Sequence, residues 1–201
     1  MAITPQQFEQ IKARLSGTRR IAAPIFDSNC QPRAKNRIII GIDPSLRGTG
    51  YGVVQFSQPH PVALAHGVIS CPAGWEHSRC LAKISQTLRE LAAKYPNAAC
   101  AVEGLFHAQN LQTALIMGEA RGAALAAMGE AGLEVFEIAP RKVKQALVGY
   151  GAAQKFAVAK MVQRLLHLAE LPAPDAADAL AVALAHSQET GRYAITLPKR
   201  I

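Results

Sequence analysis

The stretch RIIIGIDPSLRGTGYG, residues 37–52, decides how the rest of this 201-residue chain is read. The run IIIGI climbs to one carboxylate, Asp43, and breaks at Pro44. With no polar face, the run reads as a strand buried on both sides. Gly48, Gly50 and Gly52 then predict a loop whose bare backbone lets a ligand come close. Asp43 is either a carboxylate held rigidly at a strand end or a turn-former bonding nearby backbone amides. This stretch alone leaves both open.

Working outward, residues 51–57 and 62–70 read as two further strands joined by a short turn with two prolines. Residues 78–95 have Leu81, Ile84, Leu88 and Leu91 on one helical stripe. Residues 98–102 are another continuous apolar run, and it too ends in an acid, Glu103. Asn110 caps a helix reaching Met128, with Leu111, Ala114, Leu115, Gly118, Gly122 and Leu125 as its expected inner stripe. Its small residues Gly118, Gly122, Ala123 and Ala126 allow close approach of another helix, internal or from a second subunit. Residues 134–138 form a fifth strand, and Pro140 opens a short basic helix. Helices follow from Lys155 to about Leu168, with Val158, Met161, Val162 and Leu165 inward, and over residues 175–186. Three sequential strands followed by alternating elements predict an α/β fold, a five-stranded mixed sheet flanked by helices.

On the last helix, Asp175, Asp178, Val182 and His186 lie opposite Ala177, Leu180, Ala181 and Leu184. Asp175 suits a first helical turn, where the macrodipole favours acids. Asp178 is less easily explained, because two acids three residues apart repel each other. Such a pair is tolerable when exposed and useful when a cation sits between. Asp43, Glu103, Asp175 and Asp178 together supply hard oxygen ligands suited to Mg²⁺ or Mn²⁺. No Cys/His cluster favours zinc, and neither a GxSxG motif nor a Cys–His pair offers a side-chain nucleophile. Metal-assisted phosphodiester hydrolysis needs none. His186 reads as a capping or surface residue at a helix end.

Half the residues are hydrophobic and 18% are charged, so most of the chain is expected to fold. A net charge of +8 points to a polyanionic partner, nucleic acid ahead of anionic membrane. Cys30, Cys71, Cys80 and Cys100 show no paired spacing and read as free thiols. With no membrane-length run and no secretory signal, the expected location is cytoplasmic. Residues 1–36 read as a basic N-terminal extension, partly mobile, with a short helix opened by Thr4 and arginines beyond Ser16. They suit an arm on nucleic acid better than a targeting peptide, given Glu9 and Asp27. Residues 37–187 are the expected nuclease domain, and residues 188–201 a tail.

The segments IIIGIDPSLRGTGYGVV, AVEGLFHAQN, MGEARG, RKVKQALVGYGAAQK and PDAADALAVALAH, taken in this order, resemble the RuvC family of Holliday-junction resolvases. The resemblance implies an RNase H-like fold, a homodimer and Mg²⁺-dependent paired nicking of four-way DNA junctions in recombination and repair. A branch-migration helicase complex is a further implied partner, and no membrane is involved. The family's four catalytic, metal-binding acids fall on Asp43, Glu103, Asp175 and Asp178. Phe106 matches an aromatic that stacks on unpaired bases, and Lys144 and Lys155 match lysines that contact DNA phosphates. Arg121 matches a family position with either a DNA-binding or a structural role. The first motif departs from the pattern at Ser45, where the family has Gly, so a loop that needs positive φ there would have to be reshaped. Other readings on the same fold are a general RNase H-like nuclease, a transposase-type domain or a non-catalytic junction-binding protein. A sugar-kinase-like or actin-like phosphotransferase would need a second nucleotide-binding half, for which the chain is short.

Overall fold

The computed structural model describes residues 37–57, 59–105, 110–189 and 199–201. The expected extension 1–36 and the aromatic Phe106 lie outside these residues. Strands β1 (Arg37–Asp43), β2 (Gly48–Phe56) and β3 (Val62–Ser70) form an antiparallel meander. Helix α1 (His77–Lys94) leads to β4 (Ala99–Glu103), and α2 (Leu111–Glu130) leads to β5 (Val135–Ile138). Both β4 and β5 run parallel to β1. Helices α3 (Pro140–Val148), α4 (Lys155–Leu165) and α5 (Pro174–Glu189) follow. The sheet order is β3-β2-β1-β4-β5-β6. The sixth strand, β6 (Lys199–Arg200), pairs antiparallel with β5 within what the sequence presented as a tail. Two residues show no period, so sequence could not announce it.

The period-two alternation of β1 sends Ile40 and Ile42 to one face and Ile39 to the other. On the first face, Ile84, Leu88 and Leu91 of α1 and Ala120, Ala124 and Met128 of α2 build one core. On the second, Val143 and Leu147 of α3, Val158 and Val162 of α4, and Leu180 to Leu184 of α5 build the other. Helix α5 is buried almost all round, from Ala176 to Ser187 apart from Asp178. It is therefore a central helix rather than a two-faced surface one.

Two expectations are corrected here. Gly48, Gly50 and Gly52 lie on β2, not in a loop. Their bare α-carbons, with that of Gly41 on β1, face α5 instead of a ligand. A Cβ on Gly41 would stand 2.0 Å from the Ala179 carbonyl oxygen, and one on Gly50 would stand 1.9 Å from that of Asp175. Most of the inner stripe expected for α2 also faces outward, although Leu125 packs against the first core. Leu111 and Leu115 are 76% and 59% exposed, and a Cβ on Gly118 or Gly122 would meet nothing within 4 Å. This helix is small and apolar on every side, so periodicity could not choose between its faces. Its expected cap is present, with the Asn110 side chain accepting from the Thr113 N–H at 2.8 Å.

Replacing Gly50 with Ala drives a Cβ into backbone that cannot yield. The expected result is a loss of at least ~3 kcal/mol in denaturant unfolding, beyond ordinary overpacking. Gly129→Ala on α2 opens onto space and is expected to gain up to ~1 kcal/mol. Equal stabilities for the two variants would contradict this packing.

Candidate active site

Register brings the first two acids together. Ile42 pairs with Val102 across parallel strands, so Asp43 and Glu103 are the next residues on neighbouring strands. The alternation that puts Ile39 and Ala101 in the α5-side core puts Asp43 and Glu103 on that same face. Asp43 also pairs with Gly50 on its other side. Asp175 lies against Gly50, and a Cβ on Gly48 would come 2.9 Å from Asp175 Oδ2. Asp178 is one turn further along α5. All four acids are half-buried, two at strand ends and two at the start of α5.

Four carboxylates so placed are short of positive charge, and the protein supplies it in two ways. Asp43 and Glu103 share a hydrogen bond, which requires one proton between them. Burial, then the charge of Asp43, pushes the Glu103 carboxyl up to about 8. Asp43 is also raised, by burial above all, although the hydrogen bond from Glu103 pulls the other way. The second source is Lys155 at the start of α4. Its Nζ donates to Asp178 Oδ2 at 2.8 Å and is held above its ordinary pKa, first by that bond and further by Asp178, Asp43 and Glu103. The Lys155 side chain is 74% exposed. An ion pair that open is worth only ~0–1 kcal/mol, so the lysine is free to leave Asp178 for another anion.

The donor set fits a hard divalent cation, being all carboxylate oxygen with no soft or nitrogen ligand. Among the described residues no three His, Cys, Asp or Glu side chains are grouped so as to hold a metal ion by themselves.

The short link 44–47 after Asp43 is tied down by residues that the sequence did not single out. The Ser45 N–H donates to Thr49 Oγ1 at 3.2 Å, and the buried Thr49 hydroxyl donates to the Ser45 carbonyl at 2.6 Å. Arg47 donates to the carbonyls of Pro72 at 2.7 Å and Trp75 at 3.0 Å. Ser45 has no positive φ, since His167 is the only such non-glycine residue among those described. Serine therefore needs no reshaped loop here.

The remaining expected site residues are spread more widely. Lys144 is half-buried on α3, on the acid side of the sheet. Arg121 on α2 is ion-paired to Glu137 of β5, on the opposite face of the sheet from the acids. His186 is fully buried, not a surface cap. Its Nε2 lies 3.0 Å from Arg37 Nη2, and its ring stacks 4.7 Å from Phe136. Arginine only donates, so Nε2 accepts and the ring is neutral. Burial, then the Arg37 charge, lowers its pKa to about 4. It stands about 12 Å beyond Asp178 at ~1.5 Å per helical residue, away from the acids.

A pH-dependent stability follows from the shared proton. Unfolding returns Glu103 from about 8 to its ordinary 4.5, so between those values the folded state holds the extra proton. Stability accordingly falls as pH rises through this window, the loss being complete above the upper value. Chelator-treated protein is expected to melt several degrees lower at pH ~8.5 than at pH ~5, and Glu103→Gln to flatten the trend. A melting temperature that does not change with pH would contradict the shared proton.

Comparison with known proteins gives the family. The family model described as crossover junction endodeoxyribonuclease RuvC matches residues 39–186. The RuvC of Akkermansia muciniphila is 46% identical over 148 residues, covering 74% of this chain and 89% of that protein. That of Rubrobacter xylanophilus is 44% identical over 152 residues, 75% of this chain and 85% of that one. Among solved structures, T. thermophilus RuvC in complex with a Holliday junction substrate superposes with a TM-score of 0.75 at 34% identity. The match covers 82% of this chain and 99% of that one. The yeast mitochondrial Holliday junction resolvase Ydc2 shares the fold at 13% identity, with a TM-score of 0.55 and coverage of 79% and 80%. With its sheet order, its acids and this breadth of similarity, the chain belongs to the RuvC family of crossover junction endodeoxyribonucleases.

Proposed function

We propose that this protein resolves four-way DNA junctions by paired symmetric nicks, with Asp43, Glu103, Asp175 and Asp178 as its catalytic, metal-holding acids. The observation that carries the reading is the meeting of two acid-tipped parallel strands with the acid-bearing start of α5. Mg²⁺ is the best-suited cation, with Mn²⁺ as a substitute, and bound there it supplies an activated water and offsets charge on the leaving oxygen. The chain's own residues position the phosphate. Asp43 and Glu103 are fixed by the sheet, and Asp175 and Asp178 by a helix that cannot shift without clashing with glycine backbone. Lys155, loosely held by Asp178, is placed to turn to an incoming phosphate oxygen, with Lys144 a second phosphate contact. Phe106 is proposed to stack on an unpaired base on family resemblance, and Arg121 to contact DNA or to brace α2 against β5.

Two symmetric cuts call for two sites, and the open face of α2 is the proposed dimer contact. Its exposed Leu111 and Leu115 and its bare Gly118 and Gly122 leave a flat apolar surface for the same face of a second copy. The extension 1–36 is proposed as a basic arm that adds phosphate contacts. No helix among the described residues is long and apolar enough to cross a membrane, and the proposed location is the cytoplasm.

The test is cleavage of a synthetic four-way junction mapped strand by strand. Wild type, as a two-subunit particle, is expected to make symmetric nicks only with Mg²⁺ or Mn²⁺. Asp43→Asn and Asp178→Asn are expected to lower the rate by at least ~10³-fold while junction binding is kept, since affinity rests on phosphate contacts. Undiminished cutting by either variant would overturn the assignment.

A further inference from the structure

Between Ile138 and Glu170 the sequence carries six lysines and arginines and not one acid. Helices α3 and α4 fall within this segment, so the acid site is flanked by strongly cationic structure. In that setting Phe156, in the first turn of α4, leaves 64% of its surface in solvent. Helix α4 already fills its inner face with Val158, Ala159 and Val162, so Phe156 adds nothing to the core. The residue before it is Lys155, whose Nζ reaches Asp178, and Lys160 Nζ lies 5.7 Å from the Phe156 ring.

We propose that Phe156, with Lys160 beside its ring, is a base-stacking platform for an unpaired nucleotide of the strand entering the acid site. This rests on the junction-cutting reading above. The chemistry selects this occupant. An aromatic ring interleaved with lysines is how single-stranded nucleic acid is gripped, the ring taking a base face and the ammonium groups the phosphates. A protein partner would call for apolar neighbours around Phe156, and its exposed neighbours Gln154, Lys155 and Lys160 are polar or charged. A fully paired duplex offers no open base face, whereas a junction unstacks bases where its strands exchange.

The experiment places 2-aminopurine in the strand flanking the cut of a four-way junction and titrates the full-length protein in chelator. Phe156→Ala is expected to weaken binding roughly five- to fiftyfold and to abolish the fluorescence change, with the salt slope unaltered. Phe156→Trp is expected to restore both, and Lys160→Ala to lower the salt slope by about one instead. The proposal is overturned if Phe156→Ala binds and reports as wild type does, or if its loss comes with a changed subunit mass or folded content. Failure of the wild type to bind the junction would strike the junction reading itself. Normal wild-type binding with an indifferent Phe156→Ala would strike only the platform.

Discussion

The molecule depends on one close contact, the backbone of α5 lying directly on the backbone of β1 and β2. Only glycine at positions 41, 50 and 52 permits it, since any Cβ there would fall within 3 Å of helix atoms. The helix answers with its own small residues, Ala176, Ala179 and Ala183 among them, all buried. The closeness has a chemical consequence. Aspartate carries its carboxyl directly on Cβ, so Asp175 and Asp178 join two strand-borne acids only if their helix is pressed against the sheet. The packing that fills the second core thus also sets the spacing of the carboxylates, and the catalytic site proposed for them would tolerate little looseness.

That spacing works against the fold's own stability. Gathering four acids costs electrostatic free energy, which the protein lowers with a shared proton on Asp43 and Glu103 and with the Lys155 ammonium. Both are provisional partners. The proton is given up as pH rises, and the lysine is mostly exposed and weakly held. On the proposed function a divalent cation is the natural replacement for both, relieving a strain already present in the folded protein and freeing Lys155 for a DNA phosphate.

Much of this was legible in the sequence because it rests on local pattern. Continuous apolar runs ending in Asp43 and Glu103 marked buried strands, and helical spacing put Asp175 with Asp178. The motif resemblance named the family, the fold and the acids. What sequence could not supply were choices made by tertiary packing. Glycine at every second position of 48–52 suggests a loop open to a ligand, although that same period of two is the mark of one bare strand face. Helix α2 offered apolar residues on all sides, and only its seat on α1 decided that Ala120, Ala124 and Met128 turn inward. His186 looked like a helix-end residue because nothing local tells of Arg37 and Phe136, which come from β1 and β5.

The proposed cation site lies where β1, β4 and the start of α5 meet. In anomalous diffraction from Mn²⁺-soaked crystals, a manganese peak bounded by the carboxylates of Asp43, Glu103, Asp175 and Asp178 is expected, and it is expected to be lost in Asp43→Asn. A peak elsewhere, or one that survives that substitution unchanged, would contradict it.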